Sequence, residues 1–154
     1  MMRQSRLLLA LAALLLAAPL ALAQNRVEIT SDLFVMNEAE QKAVFSGNVV
    51  VNHPNVTVWA PEVVATYGAG GTSDIRTFEA LGGNVRLKTR DQDATGDRAI
   101  FTPGDQLLRL TGNVKVTNAS GIVDANELVV NLETNVSTFT SAGGGRVTGV
   151  FTSQ

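Results

Sequence analysis

Three stretches, SGNVVV at 46–51, GGNVRL at 82–87 and TGNVKV at 111–116, place Gly-Asn-Val in one frame of an alternating pattern. Every second residue reads Phe45, Gly47, Val49, Val51, then Leu81, Gly83, Val85, Leu87, then Leu110, Gly112, Val114, Val116. The residues between are polar or mixed, as with Asn84, Arg86 and Lys88 or Asn113 and Lys115. Side chains alternate faces along a strand, so each copy carries one apolar row on one face, and helical spacing fits none of the three.

The repeat is longer than the triplet. Fourteen residues after Asn48, Asn84 and Asn113 stand Glu62, Arg98 and Glu127, inside APEVVATY (60–67), GDRAIFTP (96–103) and ANELVVNL (125–132). These second segments align Val63, Ala65 and Tyr67 with Ala99 and Phe101 and with Leu128, Val130 and Leu132. A fainter copy, SDLFVMN at 31–37, puts Phe34 and Met36 in matching places, and another closes the chain around Val147 and Phe151. The unit is two short strands over about 29 residues, stretched once by the Gly-rich insertion at 68–74. An all-β chain of stacked antiparallel strands follows, as two facing sheets or as one sheet folded on itself. Glycine in mid-strand has two readings: a bulge or bend that curves the sheet, or space kept free in the interior.

Composition bounds the compartment and the partners. Arg3 and Arg6, the Leu/Ala run from Leu7 to Leu22 and the Ala21-Leu22-Ala23 ending have the form of a helical, cleavable secretory signal over 1–23. An uncleaved membrane anchor is the alternative, and the run is near the lower limit of roughly 17–25 residues for a spanning helix. The remaining 24–154 is long enough for one domain with a modest core. All 14 acidic but only 10 of the 12 basic residues lie there, leaving a net charge of −4 that argues against nucleic acid as a partner. With no cysteine, stability rests on burial and hydrogen bonding.

Other candidate chemistry is sparse. His53, the sole histidine, stands in Asn52-His53-Pro54-Asn55 and reads as a turn residue rather than a base or ligand. Asp91, Asp93, Thr95, Gly96 and Asp97 imitate the start of a calcium loop, but its twelfth position would be Thr102 and no helices flank it. Arg86, Lys88 and Arg90 form a basic row facing away from Val85 and Leu87; it reads as a solvated face or edge protection, with lipid phosphates as the alternative partner. Asn55, Asn118 and Asn135 begin N-x-Ser/Thr sequons, relevant only to a eukaryotic secretory route. No serine or threonine has a nucleophile motif around it, so no enzyme and no cofactor are expected.

RVEITSDLFVMNEAEQKAVFSGNVVV, GNVRL, ATGDRAIFTP and LTGNVKV together resemble the OstA-like family over about 27–132. The chain departs from the family's pattern at Pro61, at Asp91-Gln92-Asp93 and in its Gly-rich last strand. The resemblance implies a single elongated, twisted β-jellyroll in the periplasm that shields the acyl chains of lipopolysaccharide. It further implies end-to-end self-association, bridging an inner-membrane anchor protein of the transport complex and an outer-membrane translocon. The expected lipid-lining residues are the inward rows: Phe34 and Met36; Phe45, Val49 and Val51; Val63 and Tyr67; Leu81, Val85 and Leu87; Phe101; Leu110, Val114 and Val116; Leu128 and Val130. By base rates such rows more often meet across a filled core, and that reading stays open. A dozen or so strands in two layers would make a body about 30 Å long, short for a gap between membranes. Strands at Arg26–Thr30 and Arg146–Thr152 would offer edges for head-to-tail pairing.

Overall fold

Gly47 and Asn48 bend the first long strand, and the same device recurs along the chain. The computed structural model describes residues 26–141, 143 and 145–153, so the expected leader at 1–23 lies outside the described residues. Twelve strands follow in order: β1 (Glu28–Thr30), β2 (Leu33–Asn37), β3 (Lys42–His53), β4 (Val56–Tyr67), β5 (Ile75–Leu81), β6 (Val85–Lys88), β7 (Gln92–Gly96), β8 (Arg98–Thr102), β9 (Leu107–Asn118), β10 (Gly121–Asn131), β11 (Val136–Thr140) and β12 (Thr148–Phe151). Every pairing is antiparallel.

In β3, Ser46 pairs with Glu62 and Val49 with Ala60, so Gly47 and Asn48 stand against Pro61 alone. Gly112 and Asn113 of β9 stand in the same way against Asn126 of β10. Both Gly-Asn pairs have positive φ, +80° and +47° in the first and +80° and +49° in the second. This is a bulge: one strand gains a residue, the ladder is interrupted and the strand turns a corner. Proline is tolerated at position 61 because the interrupted ladder asks for no N–H there.

Each long strand thereby serves two layers. The first layer runs β2, β3 (to Ser46), β4 (from Glu62), β5, β8, β9 (to Thr111), β10 (from Glu127) and β11. The second runs β1, β3 (from Val49), β4 (to Ala60), β6, β7, β9 (from Val114), β10 (to Ala125) and β12. Facing rows from the two layers make one core, with Val63, Leu110 and Leu128 from the first and Val49, Val85, Leu87, Val114 and Val116 from the second, each at most 1% exposed. Burying a side chain of this size contributes about 1.5–3 kcal/mol, so this inner seam dominates the stability of the fold.

The repeat is larger than its sequence period suggests. Gln41 and Gln106 share φ +54°, and their carbonyls accept from Tyr67 and Leu132 N–H at 3.1 and 2.9 Å. Asp32 and Asp97 accept from the amides of Asn48 and Asn113 at 3.0 and 3.1 Å. All these partners stand 65 positions apart (32 to 97, 41 to 106, 47 to 112, 67 to 132). The first and third Gly-Asn-Val copies are therefore true equivalents. The second, with Gly83 at φ +70° and Asn84 at +49°, is the corner between β5 and β6.

Candidate functional site

The space between the layers is the candidate site, and register decides which side chains reach it. Direct antiparallel partners share a face. Val63 pairs with Phe45 and Ala80, Leu128 with Leu110, Ala125 with Val114 and Val123 with Val116, which places these residues on the inner face. Val49, Val85, Leu87, Tyr67 and Val130 are buried there, while Phe45, Val51 and Phe101 pack partly buried against the same cluster.

Of the sixteen expected lining residues, Leu81 leaves the inner face, and Phe34 and Met36 keep it without being covered. Leu81 pairs with Glu62, one step out of phase with Ala80 and Val63, and therefore sits on the outer face. The corner at Gly82–Asn84 resets the phase, so the row that begins at Val85 does not continue from Leu81. Phe34 and Met36 pair with Phe45 and Ala43 and so face inward, yet they are 49% and 41% exposed. They lie on the edge strand β2, and the opposing edge β1 is too short to cover them.

Gly47 and Gly112 keep no space for a ligand, whereas a Cβ on Gly83 would meet nothing within 4 Å. A Cβ on Gly47 would meet the carboxylate of Asp32 at 2.6 Å, and one on Gly112 would overlap the carboxylate of Asp97. The bulge reading holds and the open-interior reading of these glycines fails, because the positions face aspartates across the corner. Asp93 and Asp97 of the calcium-like run are engaged elsewhere: Asp93 accepts from Arg86 Nε at 2.9 Å, and Asp97 binds Asn113. Arg86 also lies over the Trp59 ring, 5.2 Å from its centroid. Its guanidinium holds the Asp93 carboxyl below the usual carboxylate range, chiefly through their hydrogen bond. Of the basic row, Lys88 and Arg90 have no salt-bridge partner among the described residues.

Two spaces meet at the mouth, where the strand ends far from the corners approach each other. An apolar cavity of about 40 Å³ is bordered by Val51, Val56 and Val58 from the second layer and by Phe78, Phe101 and Leu108 from the first. Outside it lies a polar cleft of about 720 Å³ between the turns 53–57 and 88–91 on one side and 132–135 on the other. His53 borders both. It is no turn ornament: the ring is 9% exposed and meets Phe101 of the opposite layer edge-on, with centroids 5.6 Å apart. Nδ1 accepts the Asn55 N–H at 3.1 Å, and burial lowers the ring's pKa. The signal that finds His53 is the frame itself, since Phe45, Gly47, Val49 and Val51 continue to it. Val56, Val58, Phe78 and Ala94, also outside the expected rows, lie on strand segments whose phase the bulges and corners shift, while Leu108 stands two residues before Leu110 in the same frame.

The inner rows run out uncovered at both ends. Beside Phe34 and Met36 at one edge, Phe151 at the other pairs with Gly121 and is 63% exposed.

Comparison with known proteins agrees with this geometry. The family model described as LptA/(LptD N-terminal domain) LPS transport protein matches residues 28–136. An uncharacterized protein of Rhizobium meliloti (strain 1021) is 30% identical over 125 residues, covering 77% of this chain and 67% of the relative. The crystal structure of LptH, the LptA-homologous periplasmic component of the lipopolysaccharide transport device of Pseudomonas aeruginosa, superimposes with a TM-score of 0.71. It covers 84% of this chain and 96% of LptH at 15% identity, a likeness of fold. The OstA-like resemblance and the β-jellyroll expected from it are both borne out. The chain belongs to the LptA/LptD N-terminal domain family of lipopolysaccharide transport proteins, which are not enzymes.

Proposed function

We propose that this protein carries lipopolysaccharide through the periplasm, taking the acyl chains between its two β layers. The observation that carries the reading is an apolar interior whose rows continue, uncovered, to both edges of the fold at Phe34, Met36 and Phe151. Each CH₂ exposed to water costs about 0.8 kcal/mol, so a lipid with several long chains needs such a lining for its whole path. Eight strands per layer at about 4.8 Å make a body roughly 38 Å long, so bridging two membranes takes several copies in line. The edges β1/β2 and β11/β12 are the surfaces for that end-to-end pairing, and for contact with the inner-membrane anchor and the outer-membrane translocon.

A second reading has its own observation. Val85, Ala94, Leu110 and Leu128 are completely buried and the apolar cavity is only about 40 Å³, against ~300–1,000 Å³ for ordinary ligand pockets. A structural β-repeat protein with a filled core would look the same. The carrier reading requires room for the chains, by parting of the layers at the mouth, where His53 meets Phe101, or by entry at the open edges beside Phe34 and Phe151.

A photo-crosslinking side chain at Leu87 or Phe101, with Arg86 as the outward control, separates the two. With lipopolysaccharide added, crosslinks at Leu87 and Phe101 but not at Arg86 are the expected result. A folded protein that crosslinks at neither inward position is a filled-core structural protein.

A further inference from the structure

His53 poses a problem that the fold alone does not solve. Its Nδ1 accepts the Asn55 N–H, so the neutral ring carries its proton on Nε2. Among the described residues that Nε2 has no hydrogen-bond partner, and the atom is buried. Buried donors in native proteins are nearly always paired, and one left unpaired opposes folding.

The internal repeat shows that the turn does not require it. The equivalent position 65 residues on is Asn118, on the same inner frame after Val114 and Val116. Its Oδ1 accepts the N–H of Ser120 at 2.9 Å, two residues ahead, as His53 Nδ1 does from Asn55. Asparagine therefore suffices to hold this turn. Histidine at 53 does the same work and adds a second nitrogen, on a side chain that borders both the apolar cavity and the polar cleft.

We propose that His53 Nε2–H is a ligand-binding donor, receiving the ester or amide carbonyl that joins an acyl chain to its headgroup. Such a carbonyl lies where the hydrocarbon ends and is the strongest acceptor of its linkage. With the chain in the apolar cavity and the headgroup in the cleft, it falls beside His53. Lys88 and Arg90 line the headgroup side of that cleft, with Asp91 and Glu133 also on its wall. The ring's burial keeps it neutral at pH 7, so it donates from Nε2 without placing a charge among Val51, Val56 and Phe101. The inference rests on the carrier reading and assigns one contact within it.

The test uses dilauroyl phosphatidic acid and its di-dodecyl ether analogue, which share headgroup and chain length but differ in the carbonyls. Wild-type protein is expected to bind the diester more tightly, by roughly three- to tenfold for one hydrogen bond. His53→Asn keeps the turn bond that Asn118 makes and should lose the preference, binding the diester and the diether alike. His53 is the only histidine, so protein labelled with nitrogen-15 histidine gives a single imidazole. Its Nε2–H resonance should move with the diester and not with the diether, a readout that needs no variant to fold. Equal binding of both lipids by wild type, or binding of the diester without movement of that resonance, overturns the His53 assignment and leaves the carrier reading standing. Failure of wild type to bind either lipid sinks both.

Discussion

At the scale of single residues, the fold depends on positions where backbone conformation and a neighbour's side chain make the same demand. Gly112 has φ +80°, and its missing Cβ is where the Asp97 carboxylate sits. Gly112→Ala should cost roughly 1–3 kcal/mol through left-handed strain and the overlap together. Asp97→Ala removes the overlap but also the bond to Asn113, so the double variant should be less destabilised than the sum of the two singles. Urea melts of the four proteins measure that coupling, and strict additivity would mean the aspartate does not press on position 112. His53 makes a second prediction, with a definite sign. Burial lowers its folded pKa below the unfolded value of about 6.5. In the window from about pH 6.5 down to the folded pKa the unfolded chain binds more protons, so this contribution to stability is full above the window and lost as pH falls through it. Wild type should therefore lose more stability than His53→Asn between about pH 7.5 and 5.5. The nearby charges of Lys88, Arg90, Asp91 and Glu133 are common to both proteins and largely cancel. Parallel losses would place the ring in water.

At the scale of elements, the bulges reconcile two phases that a regular ladder would set against each other. In β3 the inner residues keep one parity from Ala43 through Phe45 and Val49 to His53, while in β4 they change parity between Ala60 and Val63. The extra residue at Gly47-Asn48 absorbs the difference. Deleting Asn48 removes the bulge, and a one-residue slip turns every side chain beyond it to the other face. The expected outcome is loss of the cooperative thermal transition, because either Val49 and Val51 or Ala43 and Phe45 must leave the core. Retention of a wild-type melt would mean the corner can form without the second left-handed residue. These parities also explain what was legible beforehand. β3 and β9 keep one alternation throughout, so Phe45, Val49, Val51, Leu110, Val114 and Val116 could be read directly from the sequence. Leu81 could not, because the glycine corner after it resets the phase without disturbing the apparent alternation. Val56 and Val58 were hidden by the parity change in β4, which depends on what lies opposite Pro61 in another strand. The 65-residue repeat was hidden because the middle Gly-Asn-Val copy imitates the outer two while occupying a different kind of corner.

At the scale of the whole molecule, the interior is apolar from edge to edge, yet it is closed where a lipid chain would enter sideways. The mouth is held by contacts of modest energy: one His53–Phe101 edge contact across the layers, Phe78 stacked beside Phe101 at 6.2 Å, and no hydrogen bond from His53 Nε2 among the described residues. The corners are held by the backbone of continuous strands. If chains enter at the seam, the layers hinge at the corners and part at the mouth, and tying the mouth shut blocks uptake. The sequence has no cysteine, so a pair can be introduced cleanly. Asn55 and Glu133 are exposed on opposite walls of the cleft. Asn55→Cys with Glu133→Cys, joined by a short bismaleimide, ties the two layers together. Asn55→Cys with Arg90→Cys, joined in the same way, ties two turns of a single layer and serves as the control. Lipopolysaccharide crosslinking at Leu87 should disappear in the first linked protein, persist in the second, and persist in both before the linker is added. Undiminished crosslinking in the tied protein would mean that chains thread in at the open edges by Phe34 and Phe151, and that the closed mouth is a permanent wall.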